Sequence, residues 1–136
     1  MQRSMQTAGL VAIRERKLLL AFSRNKKAYY LPGGKLQQGE QPMQALIREI
    51  REELNIDLGI NELSYYMHIS APAFGEESGL VMEQDCFMHE LRQEPSACAE
   101  ITSLKFFNSE DYLLESVQVS GVRMILEHLK AEKIID

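Results

Sequence analysis

Glu40, Glu49, Glu52 and Glu53 crowd into the segment GKLQQGEQPMQALIREIREELNI, residues 34–56, with Arg48 among them. Carboxylates this close repel one another unless a cation sits between them. A ligand set made only of oxygens favours a hard divalent ion such as Mg2+ or Mn2+. The segment opens on Gly34, the second glycine of Pro32-Gly33-Gly34, where the chain can turn tightly. A carboxylate-held metal beside a glycine turn suits chemistry on phosphates, whose negative charge the metal offsets.

A helix has to present those groups. Pro42 suits a first helical position, where its missing N–H costs nothing. Met43, Leu46, Ile47, Ile50 and Leu54 then recur at helical spacing. Stepping about 100° per residue from Glu49, these apolar positions fall between about +60° and +160°, Glu53 near about +40°, Glu52 near about −60° and Arg48 near about −100°. One stripe therefore packs on a core, and the neighbouring stripe carries Glu49, Glu52 and Glu53. Arg48 and Glu52 are four residues apart and can pair. The helix is expected to end at Asn55, a residue that tolerates the left-handed conformation of a helix stop.

The remaining elements supply a frame. Residues 5–13 and 17–23 are rich in Val, Ile, Leu and Phe and read as a β-hairpin across Arg14-Glu15-Arg16-Lys17. Tyr29-Tyr30-Leu31 reads as a short strand that Pro32-Gly33-Gly34 stops. Strands are expected over about 62–74 and 79–91, joined by Gly75-Glu76-Glu77-Ser78-Gly79, and over 101–107. A last helix over about 120–135 carries Val122, Ile125, Leu126 and Leu129 at helical spacing. This order gives an α/β or α+β fold with a mixed sheet and helices on its faces.

Composition narrows the function. The chain has 136 residues, which predicts one domain over 1–136. A net charge of −5 argues against duplex nucleic-acid binding, which needs a basic surface to displace counterions. Small anionic substrates stay open, because a metal can bring the positive charge. Cys86 and Cys98 form no C-x-x-C pair and show no zinc spacing with His68, His89 or His128, so they read as thiols in a reducing cytosol. His68 and His89 lie inside strand-like runs and read as structural. With no signal-like leader and no apolar run long enough to span a membrane, a cytoplasmic protein is expected.

The segment resembles the signature of the Nudix hydrolases. That pattern runs Gly, five residues, Glu, seven residues, Arg-Glu, an aliphatic, any residue, Glu-Glu, any residue, Gly, aliphatic. Here it is matched by Gly34, Glu40, Arg48, Glu49, Ile50, Glu52, Glu53 and Ile56, with Asn55 where the family has Gly. The resemblance implies a Nudix-type α/β/α sandwich, a mixed β-sheet between helices. It implies a metal-dependent hydrolase of nucleoside diphosphate-linked substrates, with Glu49, Glu52, Glu53 and Arg48 as the catalytic set. Glu49, Glu52 and Glu53 would ligate Mg2+ or Mn2+, joined by the backbone carbonyl of Gly34. Glu40 would brace the loop or the metal shell, at a substrate-binding edge that includes Lys35, Arg24 and Glu100.

The base and the substrate are less constrained by the signature. Glu49 serves as base in some relatives; otherwise Glu76, Glu77, Glu83, Asp85 and Glu100 are available, and Glu100 opens the strand-like run Glu-Ile-Thr-Ser-Leu-Lys-Phe-Phe. Lys35 and Arg24 could reach a phosphate, and Phe22, Tyr29, Tyr30 or Phe74 could stack a base. Lys directly after Gly-Gly resembles the MutT-like nucleoside triphosphate pyrophosphohydrolases, which is the substrate class expected. Pro72, 16 residues beyond Ile56, resembles a marker of ADP-ribose and nucleotide-sugar pyrophosphatases. A non-catalytic nucleotide-binding module is the third reading, although such relatives typically lose the glutamates retained here. An exposed sheet edge would permit a homodimer as well as a monomer.

Overall fold

Leu10 and Val11 are neighbours in the chain and both are fully buried, yet they belong to different cores. The computed structural model describes residues 3–136. Its strands are β1 (Arg3–Arg14), β2 (Lys17–Ser23), β3 (Ala28–Tyr30), β4 (Gly33–Lys35), β5 (Ser64–Pro72), β6 (Leu80–His89) and β7 (Ile101–Phe107). The helices are α1 (Pro42–Leu54), α2 (Ser109–Leu113) and α3 (Ser120–Ala131). Alternate side chains of a strand point to opposite faces. Ala8, Leu10 and Ala12 of β1 and Leu19 of β2 therefore meet Leu46, Ile50 and Leu54 of α1. Val11, Leu18 and Leu20 join Val122, Ile125, Leu126 and Leu129 of α3 on the other side. Burial on both faces explains why β1 and β2 read as nearly unbroken apolar runs.

The strands form one seven-stranded mixed sheet, with β3-β2-β1-β6-β5 as its main path, β4 on β1 and β7 on β2. The expected hairpin is only its own tip. Glu15 and Arg16 both take positive φ, 50° and 61°, and β1 pairs with β2 at just Ile13–Leu18 and Arg14–Lys17. Two positive φ angles make the tight turn whose twist suits a hairpin. Beyond it the strands diverge: β1 runs parallel to β6 from Arg3–Leu80 to Ala12–His89, while β2 pairs with β3 and β7. The glycine pair differs from expectation too. Gly33–Lys35 extends as β4 against Thr7–Gly9 of β1 instead of simply stopping the chain.

The first helix begins at Pro42 and ends at Leu54, capped by Asn55, whose φ of 56° and ψ of 40° are left-handed. Asn supplies there what Gly supplies elsewhere. Helix α2 was not expected from periodicity because it is too short to show any. Its signal is the cap: Asn108 Oδ1 accepts the Asp111 N–H at 2.8 Å. Cys86 is buried, Cys98 is partly buried, and both are free thiols. No helix among the described residues is long and apolar enough to cross a membrane.

On the outer face of β5 and β6, His68 bridges two carboxylates, Nε2 to Glu83 at 2.7 Å and Nδ1 to Asp85 at 2.9 Å. The Glu83 bond, seconded by Asp85, raises the His68 pKa above its ordinary 6.5, and His68 lowers that of Glu83 below 4.5. The raised histidine stabilises the fold fully below its unfolded pKa and loses this as pH climbs through the folded one. The depressed Glu83 contributes above its own unfolded pKa and is lost in acid. His68→Gln is therefore expected to cost most near pH 5–6.5 and almost nothing at pH 9. Solvent screening of this exposed group limits the loss to under about 1 kcal/mol. Urea midpoints at pH 5.5 and pH 9 check this.

Candidate active site

Strand β4 lies directly across the carboxylate edge of α1. Glu49 packs against Gly34 so closely that a Cβ there would sit 2.5 Å from the Glu49 carboxyl carbon. One turn on, Glu53 is buried, and its Oε1 accepts the Gly33 N–H at 3.0 Å. Two glycines in sequence thus let the backbone touch two glutamates that the helix places four residues apart. Glu52 points outward and is exposed.

Arg48 joins this arrangement to the loop before the helix. Its Nε and Nη2 grip both oxygens of Glu40 at 2.8 and 2.9 Å. Nη1 donates to Glu49 at 2.9 Å, and Nη2 also reaches the Lys35 carbonyl at 3.1 Å. The i,i+4 partner Glu52 stands further off, at 3.7 Å. Glu40 is also held by the Gln37 N–H, so it braces the 36–41 loop. The Arg48 guanidinium pulls the Glu40 carboxyl down to about 2, and Glu40 in turn raises Arg48. Arg48→Lys keeps the charge but loses the planar fork. It is expected to cost about 1–2 kcal/mol in stability, because hydrogen bonds to charged groups are lost, read as a lower urea midpoint.

Burial pushes Glu53 up to about 8; the Gly33 N–H opposes this, and the negative charges of Glu49, Glu100 and Glu52 add to it. Glu49 is raised as well, chiefly by burial, with Arg48 opposing and Glu52 and Glu100 reinforcing. Four carboxylates thus share one electrostatic neighbourhood that favours a positive charge. The donor set is all oxygen, which fits a hard divalent cation. As the side chains stand, Glu49 is taken by Arg48 and Glu53 by Gly33. Among the described residues no three acidic, histidine or cysteine groups already converge on one coordination point.

A cleft of about 390 Å³ opens beside this edge. Of the sequence candidates, Gly34, Lys35, Glu49, Glu53 and Glu100 line it; Arg24, Glu40, Arg48 and Glu52 do not. Glu100 Oε2 accepts from Asn25 Nδ2 at 2.9 Å and from Ser23 Oγ at 3.3 Å. Glu76 also lines the cleft, whereas Glu77 pairs with Arg3, and Glu83 and Asp85 hold His68 on the outer face. Tyr30 and Phe74 face the cleft in edge contact, centroids 6.1 Å apart, while Tyr29 packs on Phe22 and Phe107. Pro72 ends β5, exposed and outside the cleft lining.

Sequence reading passed over Lys26 and Gln84. Lys26 looked like one more cation in the loop Arg24-Asn25-Lys26-Lys27. Yet its ammonium pairs with Glu76, which also takes Lys35 Nζ at 3.1 Å. A Cβ on Gly75 would lie 2.6 Å from the Lys26 chain, so that glycine makes room for it. Gln84 did carry a signal: on a strand it shares a face with Met82 and Cys86, an inward polar residue among apolar ones.

The structure thus lays a glycine strand of a mixed sheet over a glutamate-bearing helix edge. The family model for the NUDIX domain matches residues 3–127, and the chain belongs to that family. Comparison with curated proteins returned no match. Among solved structures it is similar to the MutT Nudix hydrolase from Burkholderia pseudomallei, at 22% identity and TM-score 0.75, over 92% of this chain and 97% of that one. An Ap4A hydrolase from C. elegans aligns at 21% identity and TM-score 0.70, over 95% and 97%. A bifunctional NMN adenylyltransferase/ADP ribose pyrophosphatase from Francisella tularensis, complexed with AMP and a Mn ion, aligns at 20% identity and TM-score 0.66. That match covers 97% of this chain and 42% of the other. These likenesses establish the fold. The protein is a Nudix pyrophosphohydrolase, of a family that acts on small nucleotide substrates and generally uses divalent metals.

Proposed function

We propose that this enzyme is a MutT-like nucleoside triphosphate pyrophosphohydrolase. The observation that carries the reading is the Lys26–Glu76–Lys35 cluster. Two ammonium groups share one carboxylate in the same cleft as Glu49 and Glu53. The cluster keeps a net positive charge, and a polyanionic phosphate chain can outcompete the single Glu76 carboxylate for both lysines. Glu49, Glu52 and Glu53, with the Gly34 carbonyl, are the residues that would hold Mg2+ or Mn2+. Such an ion offsets charge on the phosphate oxygens and lowers the pKa of the attacking water.

The chain's own groups do the rest. Lys26 and Lys35 orient the phosphates, so the reaction gains mainly from positioning and charge stabilisation. Glu100 Oε2 is held by Ser23 and Asn25, which leaves Oε1 without a protein partner among the described residues and open to take the water's proton. Arg48 keeps Glu49 in place. Incubating the protein with a nucleotide panel and Mg2+ should release nucleoside monophosphate and pyrophosphate. Release of AMP and ribose phosphate from ADP-ribose alone would transfer the assignment to that substrate. Binding without turnover would make the chain a non-catalytic module.

A further inference from the structure

Glu76 reaches the cleft from the β5–β6 turn, whereas Glu49 and Glu53 come from α1 and Glu100 from the start of β7. Its two oxygens are spent on two different lysines. Oε2 takes the ammonium of Lys26 from the β2–β3 turn, and Oε1 takes Lys35 Nζ from β4 at 3.1 Å. Although it lies in a turn, only 22% of the Glu76 side chain is exposed. The hydrogen bond from Lys26, followed by that from Lys35, holds the carboxyl below its ordinary 4.5. Two oxygens bridging two ammoniums is also the pairing that a phosphate chain would make there.

The three groups are not held equally. Lys26 Nζ also donates to the Phe74 carbonyl at 3.4 Å, and its stem fills the space beside Gly75, where a Cβ would lie 2.6 Å away. Tyr30 Oη donates to the same carbonyl at 3.3 Å, so the turn backbone is anchored at Phe74. Among the described residues, the Glu76 carboxylate is held by the two ammoniums alone. Rotation of its side chain can therefore free both lysines while Lys26 and the turn stay in place. Until then the carboxylate gives the lysines a partner other than Glu49, Glu53 and Glu100, which line the same cleft.

We propose that Glu76 is a built-in competitor of the substrate's phosphate chain: it holds the lysine pair in the free enzyme, leaves when phosphate arrives, and so sets KM without entering the chemical step. This rests on the nucleotide-hydrolase reading above. Only the fraction of molecules with Glu76 swung away offers both lysines, and apparent affinity falls by that fraction. Charge-assisted bonds that solvent partly screens put the fraction at about one in ten. Removing the competitor strengthens ground state and transition state alike, so the gain belongs in KM.

The test measures kcat and KM for the nucleoside triphosphate turned over fastest, and the calorimetric Kd of pyrophosphate, all with Mg2+. In Glu76→Gln both KM and Kd should fall about tenfold, with kcat within about threefold of the wild type. Glu76→Asp keeps the charge on an arm one methylene shorter, which cannot bridge both lysines. It should shift both constants the same way, whereas simple charge repulsion would leave it like the wild type; it also keeps the test decisive if Glu76→Gln misfolds. Added to the Lys26→Gln/Lys35→Gln double variant, Glu76→Gln should change neither constant, because nothing is left to release. Constants that do not fall in a folded single variant, a gain that persists without the lysines, or a larger loss of kcat overturns the role of Glu76 and leaves the hydrolase reading standing. If the wild type turns over no nucleotide, the hydrolase reading fails, and the pyrophosphate Kd alone decides whether Glu76 competes.

Discussion

Replacing Glu53 by Gln should lower kcat by a hundred- to a thousand-fold while leaving the metal-free protein at least as stable as the wild type. Two opposite consequences come from one buried group. For turnover, the variant removes a charged oxygen from the set that would hold the metal. A metal's charge stabilisation is worth several kcal/mol, and each 1.36 kcal/mol is about tenfold in rate. For stability, the same substitution removes a charge that burial disfavours. Glu53 is 7% exposed, and burial pushes its pKa up to about 8 from an ordinary 4.5. A raised carboxyl pKa means the folded state binds more protons than the unfolded one between those values. Wild-type stability should therefore fall as pH climbs from about 4.5 to about 8, and the variant should not share that fall. Gln can still accept the Gly33 N–H. Steady-state rates with Mg2+, beside melting curves of both proteins in chelator at pH 6 and pH 8.5, read the two effects separately. A variant with full turnover would remove Glu53 from the proposed ligand set.

Gly33→Ala and Gly34→Ala should differ sharply despite being neighbours. At Gly33 a Cβ would lie 2.0 Å from the Ala8 carbonyl oxygen, on a residue whose φ is +141°. Both the clash and the conformation involve backbone, so β4 must leave β1 or distort. The expected cost is about 3 kcal/mol or more, from a disfavoured φ plus overpacking. In a chain of this size that is a drop in Tm of about 10 °C or more. At Gly34 the obstacle is the tip of Glu49, at 2.5 Å, which can swing aside. Gly34→Ala should hold its Tm within about 3 °C and lose turnover, because the displaced group is Glu49. Differential scanning calorimetry with a parallel rate assay distinguishes them. Equal destabilisation of the two variants would show that Glu49 is not free to move.

Helix α1 was the most readable part of the chain. Its start at Pro42, its stop at Asn55 and its apolar stripe depend on residues within a few turns of one another. The placement of Glu49 and Glu53 beside the glycines follows from the same short range, because α1 and β4 are separated only by the 36–41 loop. Longer-range features were harder to read. The apolar runs of residues 5–13 and 17–23 suggested mutual pairing, yet each strand prefers other partners. Burial on both faces erases the alternation that would reveal register. Arg24 and Lys26 illustrate the limit at one residue's resolution. Both are cations of the same turn, but the turn directs Lys26 to Glu76 and leaves Arg24 exposed.

Charge type, helical period and glycine position are local properties, and they were enough to place a glutamate-bearing helix edge next to a backbone able to approach it. The walls of the cleft came from elsewhere. Parallel pairing of β1 with β6 puts Gln84 beside Thr7 and over Gly9, and the β5–β6 turn carries Glu76 to Lys26 of the β2–β3 turn and Lys35 of β4. Those partners are distant in the chain. Their meeting depends on which strand edges hydrogen-bond, a cooperative outcome of packing two cores at once that no stretch of neighbouring residues encodes.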